Sequence, residues 1–205
     1  MELEKSNISW SCIDEKTFLD FPYLQLVERL CKNNRSKPDE EPSRFYAIKS
    51  RDWCNIIPVT TEGKIVMIRQ FRAGTLSTSY EFPGGVVESG DSDIQATAIR
   101  EMIEETGYEP TPSAKCRLLG TSHPNPALQD NKVHALIVHG VKKTRAQALD
   151  PNEDIEVFEL TPEELLKWVM NGKITHALML VSLFHLILGV KESGAMLRGA
   201  ILGGH

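Results

Sequence analysis

Apolar and polar positions along the chain alternate in short runs as far as Leu160, interrupted by one stretch of helical spacing, and take helical spacing from Thr161 on. Residues 1–20 carry no sustained period and read as weakly structured, whereas Phe21–Cys31 and Phe45–Ser50 read as strands. The stretch Asn33–Ser43, with two prolines and several charges, reads as the loop of a long hairpin. Two β-rich runs, Asn55–Thr60 and Lys64–Phe71, flank Thr61-Glu62-Gly63, a hairpin turn. A short strand, Ser77–Phe82, is ended by Pro83-Gly84-Gly85. A helix is predicted over Asp93–Thr106, with Ser92 as N-cap, Gln95 completing a capping box and Gly107 closing the C-terminus. Lys115–Thr121, Val133–Gly140 and Ile155–Leu160 are three further strands. Thr161-Pro162-Glu163-Glu164 opens a second helix that Asn171-Gly172 stops, and a third runs over Thr175–Val190. Many strands, one helix in mid-chain and two at the end predict an α+β fold with a mixed sheet between helices.

Composition narrows the function classes. The 205 residues are 41% hydrophobic and 25% charged, which excludes disordered, collagenous and coiled-coil chains. The net charge of −5 offers no basic field for nucleic acid, so an anionic substrate needs a metal ion or a few placed arginines. Cys12, Cys31, Cys54 and Cys116 form no CxxC pair, which fits a reducing cytoplasm better than a zinc site or a disulfide framework. The apolar run His176–Val190 falls short of the roughly 20 residues that span a bilayer and reads as a core-facing helix.

The informative stretch is Gly84–Tyr108. Helical spacing places Glu101, Glu104 and Glu105 on one side and Ala98, Ile99, Met102 and Ile103 on another, with Arg100 four residues before Glu104. Such an acidic triplet is either a solvated face or an empty Mg²⁺ site, because like charges that close repel unless water or a cation relieves them. Glu88-Ser89-Gly90-Asp91 and the Pro-Gly-Gly turn precede it.

These residues resemble the Nudix hydrolase box, in which Gly85, Arg100, Glu101, Met102, Glu104, Glu105 and Gly107 take the expected positions. The match departs from the box at Asp91, which stands where the family has its first glutamate, one residue too far from Arg100; an alternative alignment puts Ser92 there instead. The resemblance implies an α/β/α sandwich with a mixed sheet and a helix that holds Mg²⁺, with Mn²⁺ the alternative ion. It assigns Glu101, Glu105 and the Gly85 carbonyl as metal ligands, Glu104 as ligand or holder of the reacting water, and Arg100 as the residue that orients the carboxylates.

Outside the box, Ile68-Arg69-Gln70-Phe71-Arg72 and Tyr80-Glu81-Phe82-Pro83-Gly84-Gly85 resemble the ADP-ribose pyrophosphatase and nucleotide-sugar branch. That likeness implies Arg72, and secondarily Arg69, on the substrate phosphates, Glu81 positioning the nucleotide, and Pro124, in a loop past the box, as a further substrate-binding residue. It also points to Glu153 as general base or extra metal ligand, with Asp154 and Glu156 as neighbours of open register. The expected activity is hydrolysis of a nucleotide sugar to a nucleoside monophosphate and a sugar phosphate. The alternatives are a nucleotide-sensing module that does not cut, and a dinucleoside polyphosphate or cap hydrolase. His123 and His134 read as structural residues or as contacts to substrate, and His176 and His185 as packing or partner-facing. The expected organisation is a dimerising N-terminal hairpin over 1–50, a catalytic domain over 51–192 and a flexible tail over 193–205, in a cytoplasmic homodimer.

Overall fold

The computed structural model describes residues 9–88, 90, 91 and 93–189. Its chain divides into two units, one comprising the residues up to Arg51 together with His123–Asn131, the other comprising Asp52–Ser122 and the residues from Lys132 on. The expected tail, 193–205, lies outside the described residues.

In the first unit, β1 (Trp10–Asp20), β2 (Leu24–Asn33) and β3 (Ser43–Ser50) form an antiparallel meander. Residues 10–20 are therefore a full strand rather than weakly structured chain. Every β1 residue is exposed, so no buried face imposes the alternation that marks a strand in sequence. Its stabilisation comes from across the strands. Glu15 pairs with Arg29 at 2.8 Å and Lys49 at 2.7 Å, and the Trp10 and Phe45 rings meet edge-on with centroids 5.4 Å apart. Phe21 belongs to the turn, its N–H donating to the Leu24 carbonyl, so β2 begins three residues later than the apolar pattern suggests. The 123–131 segment joins β3 through a parallel bridge between Ile48 and Gln129.

The second unit is built on a seven-stranded mixed sheet. Its strands are β4 (Trp53–Thr60), β5 (Ile65–Arg72), β6 (Ser77–Glu81), β7 (Gly84–Val86), β8 (Tyr108–Ser122), β9 (Val133–Lys143) and β10 (Ile155–Leu160). The main order is β10-β5-β4-β9-β8, with β6 beside β5 and β7 beside β4. The β4–β9 pair is parallel, whereas β5 pairs β4, β6 and β10 antiparallel. Period-two alternation divides the core. Ile56, Val66, Leu136 and Val138 face Ala98 and Met102 of α1 (Ile94–Thr106). Ile57, Met67 and Ile137 pack with Leu165 of α2 (Pro162–Met170) and with Met179, Leu183 and Leu186 of α3 (Ala177–Gly189). The sandwich thus follows from strands whose two faces are both apolar, each covered by helix.

Several boundaries differ from the sequence reading. The α1 cap is Asp93, whose Oδ1 accepts the Ala96 N–H at 2.8 Å; Ser92, the expected cap, lies outside the described residues. Gly107 closes this helix in the left-handed region at φ +72°, as predicted. Strand β8 starts seven residues before the predicted Lys115. Pro110 and Pro112, which lack N–H donors, disguise its first half, where the register with β9 shifts between Pro110 and Lys115. The Pro-Gly-Gly segment does more than end β6, since Gly84–Val86 turns back to pair with Trp53–Asn55. Thr161 and Glu164 form the reciprocal capping box of α2.

Candidate active site

The acidic side of α1 lies against β7. Glu105 is 3% exposed, and its Oε2 accepts the Gly84 N–H at 2.8 Å. Backbone sterics require glycine at Gly84, whereas at Gly85 a side chain would displace the Glu101 carboxylate. A Cβ on Gly84 would sit 2.1 Å from the Cys54 carbonyl oxygen, and one on Gly85 would sit 2.4 Å from the Glu101 carboxylate carbon. The Glu101 carboxylate therefore occupies the space beside Gly85 that a side chain would fill. Gly85→Ala is expected to push Glu101 off β7 and to lower kcat by about a hundredfold with little change in thermal midpoint. Steady-state kinetics and a melting curve check both parts.

Burial strains this arrangement electrostatically. Loss of water pushes Glu101 up to about 7, with Arg100 pulling down and the charges of Glu104 and Glu153 pushing up. Burial likewise raises Glu105 well above the ordinary carboxylate range, and the charges of Glu101 and Glu153 add to the shift. Arg100 gathers the remaining acids, with Glu104 at 2.9 Å, Glu101 at 3.0 Å and Asp91 at 3.4 Å. Asp91 also accepts the Glu88 N–H at 2.9 Å and the Thr97 hydroxyl at 2.7 Å, so this acid braces the loop before α1 and steadies Arg100.

Glu153 sits on an exposed turn, its carboxylate accepting the Asp150 N–H at 2.9 Å. The segment leading to that turn is stitched to the end of α1. The Ala148 N–H donates to the Glu104 carbonyl at 2.8 Å, and Gln147 Nε2 donates to the Glu105 and Ile155 carbonyls at 2.7 and 3.0 Å. Gln147 was not a sequence candidate. Bridging α1 and β10 is visible only once both are placed.

Beside Gly84 and Gly85 opens a cleft of about 600 Å³, a size suited to a nucleotide-sized ligand. Its walls include Trp53–Asn55, the β5–β6 connection from Arg72 to Thr75, the hydroxyls of Ser77, Thr78 and Ser79, Glu81, and the link between α2 and α3 with Lys173, Thr175 and His176. Arg72 and Glu81 meet side-on in it, Nε to Oε1 at 2.9 Å and Nη2 to Oε2 at 2.5 Å. Burial alone would raise the Glu81 pKa, yet the Arg72 hydrogen bonds and nearby His176 outweigh it and hold the carboxyl at about 2. His176 Nδ1 lies 3.3 Å from Glu81 Oε1.

Arg69, three residues from Arg72 and so on the opposite face of β5, pairs with Glu156 across to β10 at 2.6 Å and is not part of the cleft wall. Pro124 and His123 belong to the first unit. His134 is engaged by Thr121 at 2.9 Å and Asp52 at 3.1 Å, and His185 by Ser122 at 2.8 Å. Lys173, Thr175 and His176 are cleft residues the sequence did not single out as such. The Asn171-Gly172 stop located their loop but not the direction it faces.

Among the described residues no three His, Cys, Asp or Glu side chains already converge as a closed metal cage. The donor chemistry nonetheless fits a hard divalent cation. Two desolvated carboxylates with raised pKa values lie against a glycine pair, and a cation would relieve the repulsion that burial imposes on them.

Residues 51–179 match the family described as the NUDIX domain. The chain belongs to the Nudix family. The Nudix relatives include an ADP-ribose pyrophosphatase of Bacillus subtilis, 33% identical over 141 residues, covering 68% of this chain and 74% of the relative. A methanol dehydrogenase activator of Bacillus methanolicus is 31% identical over 149 residues, covering 72% and 78%. The ADP-ribose pyrophosphatase of Escherichia coli K12 is 32% identical over 136 residues, covering 62% and 61%. A solved ADP compounds hydrolase has the same fold, with a TM-score of 0.74 at 15% identity over 93% of this chain and 99% of that one. Nudix hydrolases as a class use divalent metal ions, in keeping with the oxygen donors on α1.

Proposed function

We propose that this Nudix protein hydrolyses the diphosphate of a nucleoside diphosphate joined to a sugar, with ADP-ribose the favoured substrate and AMP and ribose 5-phosphate the products. The observation that carries the reading is the pair of desolvated carboxylates, Glu101 and Glu105, held on Gly84 and Gly85 at the wall of a nucleotide-sized cleft. The 33% identity to an ADP-ribose pyrophosphatase supports the choice of substrate.

Glu101, Glu105 and the Gly85 carbonyl would hold Mg²⁺ or Mn²⁺, with Glu104 beside them. Such an ion supplies charge neutralisation for the diphosphate and Lewis acidity toward the attacking water. Arg100 keeps the acids of α1 in register through its three ion pairs. Arg72 donates to a phosphate oxygen from the part of its fork that Glu81 leaves open. Glu153 accepts the proton of the water, whose oxygen bonds to one phosphorus as the bridging P–O bond breaks in line. The bonds of residues 147 and 148 to α1, which tie the chain leading to that turn to the helix of the acids, support this role.

Incubating the protein with nucleotide sugars, dinucleoside polyphosphates and nucleoside triphosphates in Mg²⁺ and H₂¹⁸O tests this by mass spectrometry. Turnover of ADP-ribose with one ¹⁸O in one of the two products is expected. Binding without products would instead favour a sensing module, and preferred cleavage of a dinucleoside polyphosphate would change the substrate class. The exposed rings of Trp10, Phe18, Phe45 and Tyr46 in the first unit support a homodimer. The unpaired cysteines are consistent with a cytoplasmic location, and no described helix is long and apolar enough to cross a membrane.

A further inference from the structure

The charge inside the cleft leaves the substrate's diphosphate short of a cation on the protein. Arg72 is the arginine of the wall, and its charge is matched by the buried Glu81 in a side-on pair. It can donate a hydrogen bond, but it adds little net field. Lys173 is the lysine of the wall, and among the described residues no carboxylate lies within ion-pair distance of it.

Its placement is built by the end of α2. Gly172, at φ +68°, sends its N–H to the Val169 carbonyl at 3.0 Å, and the Lys173 N–H reaches the Trp168 carbonyl at 2.8 Å. This is a Schellman ending, in which residue 173 is expected to be apolar and to pack on residue 168. A lysine stands there instead. Its ammonium lies 3.2 Å from the centroid of the Trp168 ring and 4.7 Å from that of Tyr80. Those two rings meet edge-on at 4.9 Å, and Phe158 packs against both. The aromatic seat holds the charge by cation–π attraction without neutralising it. Buried Ile174, the next residue, anchors the backbone in the core.

We infer that Lys173, seated on Trp168 and Tyr80 at the cleft wall, is a substrate-binding residue that contacts the diphosphate of the bound nucleotide. The inference rests on the hydrolase reading for the identity of the ligand. It assigns the α2–α3 link a direct part in affinity, distinct from the metal-binding acids and from Arg72.

The test compares Lys173→Met, which keeps an apolar stem on Trp168, with Lys173→Arg and with Lys167→Met. Lys167 is also on α2 but outside the cleft wall. Lys173→Met is expected to raise the KM for ADP-ribose about tenfold with kcat within about threefold of wild type, and to flatten the salt dependence of kcat/KM. Lys173→Arg is expected to restore most of the affinity, and Lys167→Met to behave as wild type. An unchanged KM in Lys173→Met, or an equal rise in Lys167→Met, overturns the inference.

Binding of ADP-ribose by calorimetry to Glu105→Gln, with and without Lys173→Met, reads the contact without turnover. If the wild type cuts no nucleotide sugar, the hydrolase reading fails, and a tenfold weaker affinity here still upholds Lys173 whereas equal affinity overturns it. A protein that neither cuts nor binds ADP-ribose overturns both.

Discussion

Glu105→Gln is expected to reduce kcat on ADP-ribose by on the order of a thousandfold while the protein stays folded. The amide has the shape of the carboxyl, and its oxygen can still accept the Gly84 N–H, so β7 keeps its anchor to α1. The stability effect has a definite sign. Burial raises the native pKa of Glu105 well above 4.5, so without metal the native state retains a proton that the unfolded chain releases. Metal-free stability therefore falls as pH climbs from about 4.5 through the raised native value. At pH 7 in EDTA the variant, which has no charge to bury, is expected to melt at or above the wild type. Adding Mg²⁺ should then raise the wild-type midpoint and move the variant's much less, because a ligand stabilises only a state that binds it. Near wild-type turnover by the variant would show that Glu105 has no part in the chemistry.

Glu81→Gln is expected to act on both stability and affinity. The native Glu81 carboxyl, 1% exposed, is held at about 2 against 4.5 for a free glutamate, a shift worth on the order of 3 kcal/mol. Because the native pKa is depressed, this contribution is fully present above pH 4.5 and is lost as pH falls from there toward 2. Urea denaturation should show the variant less stable than the wild type at pH 7, by a deficit that narrows steadily below pH 4.5. The loss of the carboxylate also removes the side-on partner that orients the Arg72 fork, so kcat/KM is expected to fall about a hundredfold even though the net charge of the cleft becomes more positive. A pH-independent deficit would mean that packing, and not the ion pair, is what Glu81 supplies.

The helical half of the candidate site was legible as a set of neighbouring residues because its spacing is local. Glu101, Glu104 and Glu105 follow from spacing on one helix, and Gly85 and Gly107 from the turns at its two sides. Both layers of the sandwich were legible too, since runs such as Ile56-Ile57 and Leu136-Ile137 place apolar side chains on each face of the sheet. What sequence could not supply is direction across distance. Arg69 and Arg72 look alike in one strand, yet an odd separation puts one beside Glu156 and the other in the cleft with Glu81. Lys173 and His176 gain their place only when α2 and α3 dock on the sheet. Strand β1 escaped notice because its pairing is held by exposed charges and rings rather than by a buried face.

Crystals soaked in millimolar Mn²⁺ and measured at the manganese edge test the central claim most directly. The expected result is an anomalous peak bordered by the Glu101 and Glu105 carboxylates and the Gly85 carbonyl, absent from Glu105→Gln crystals treated alike. Full Mn²⁺-dependent turnover with no peak against these three residues would contradict it.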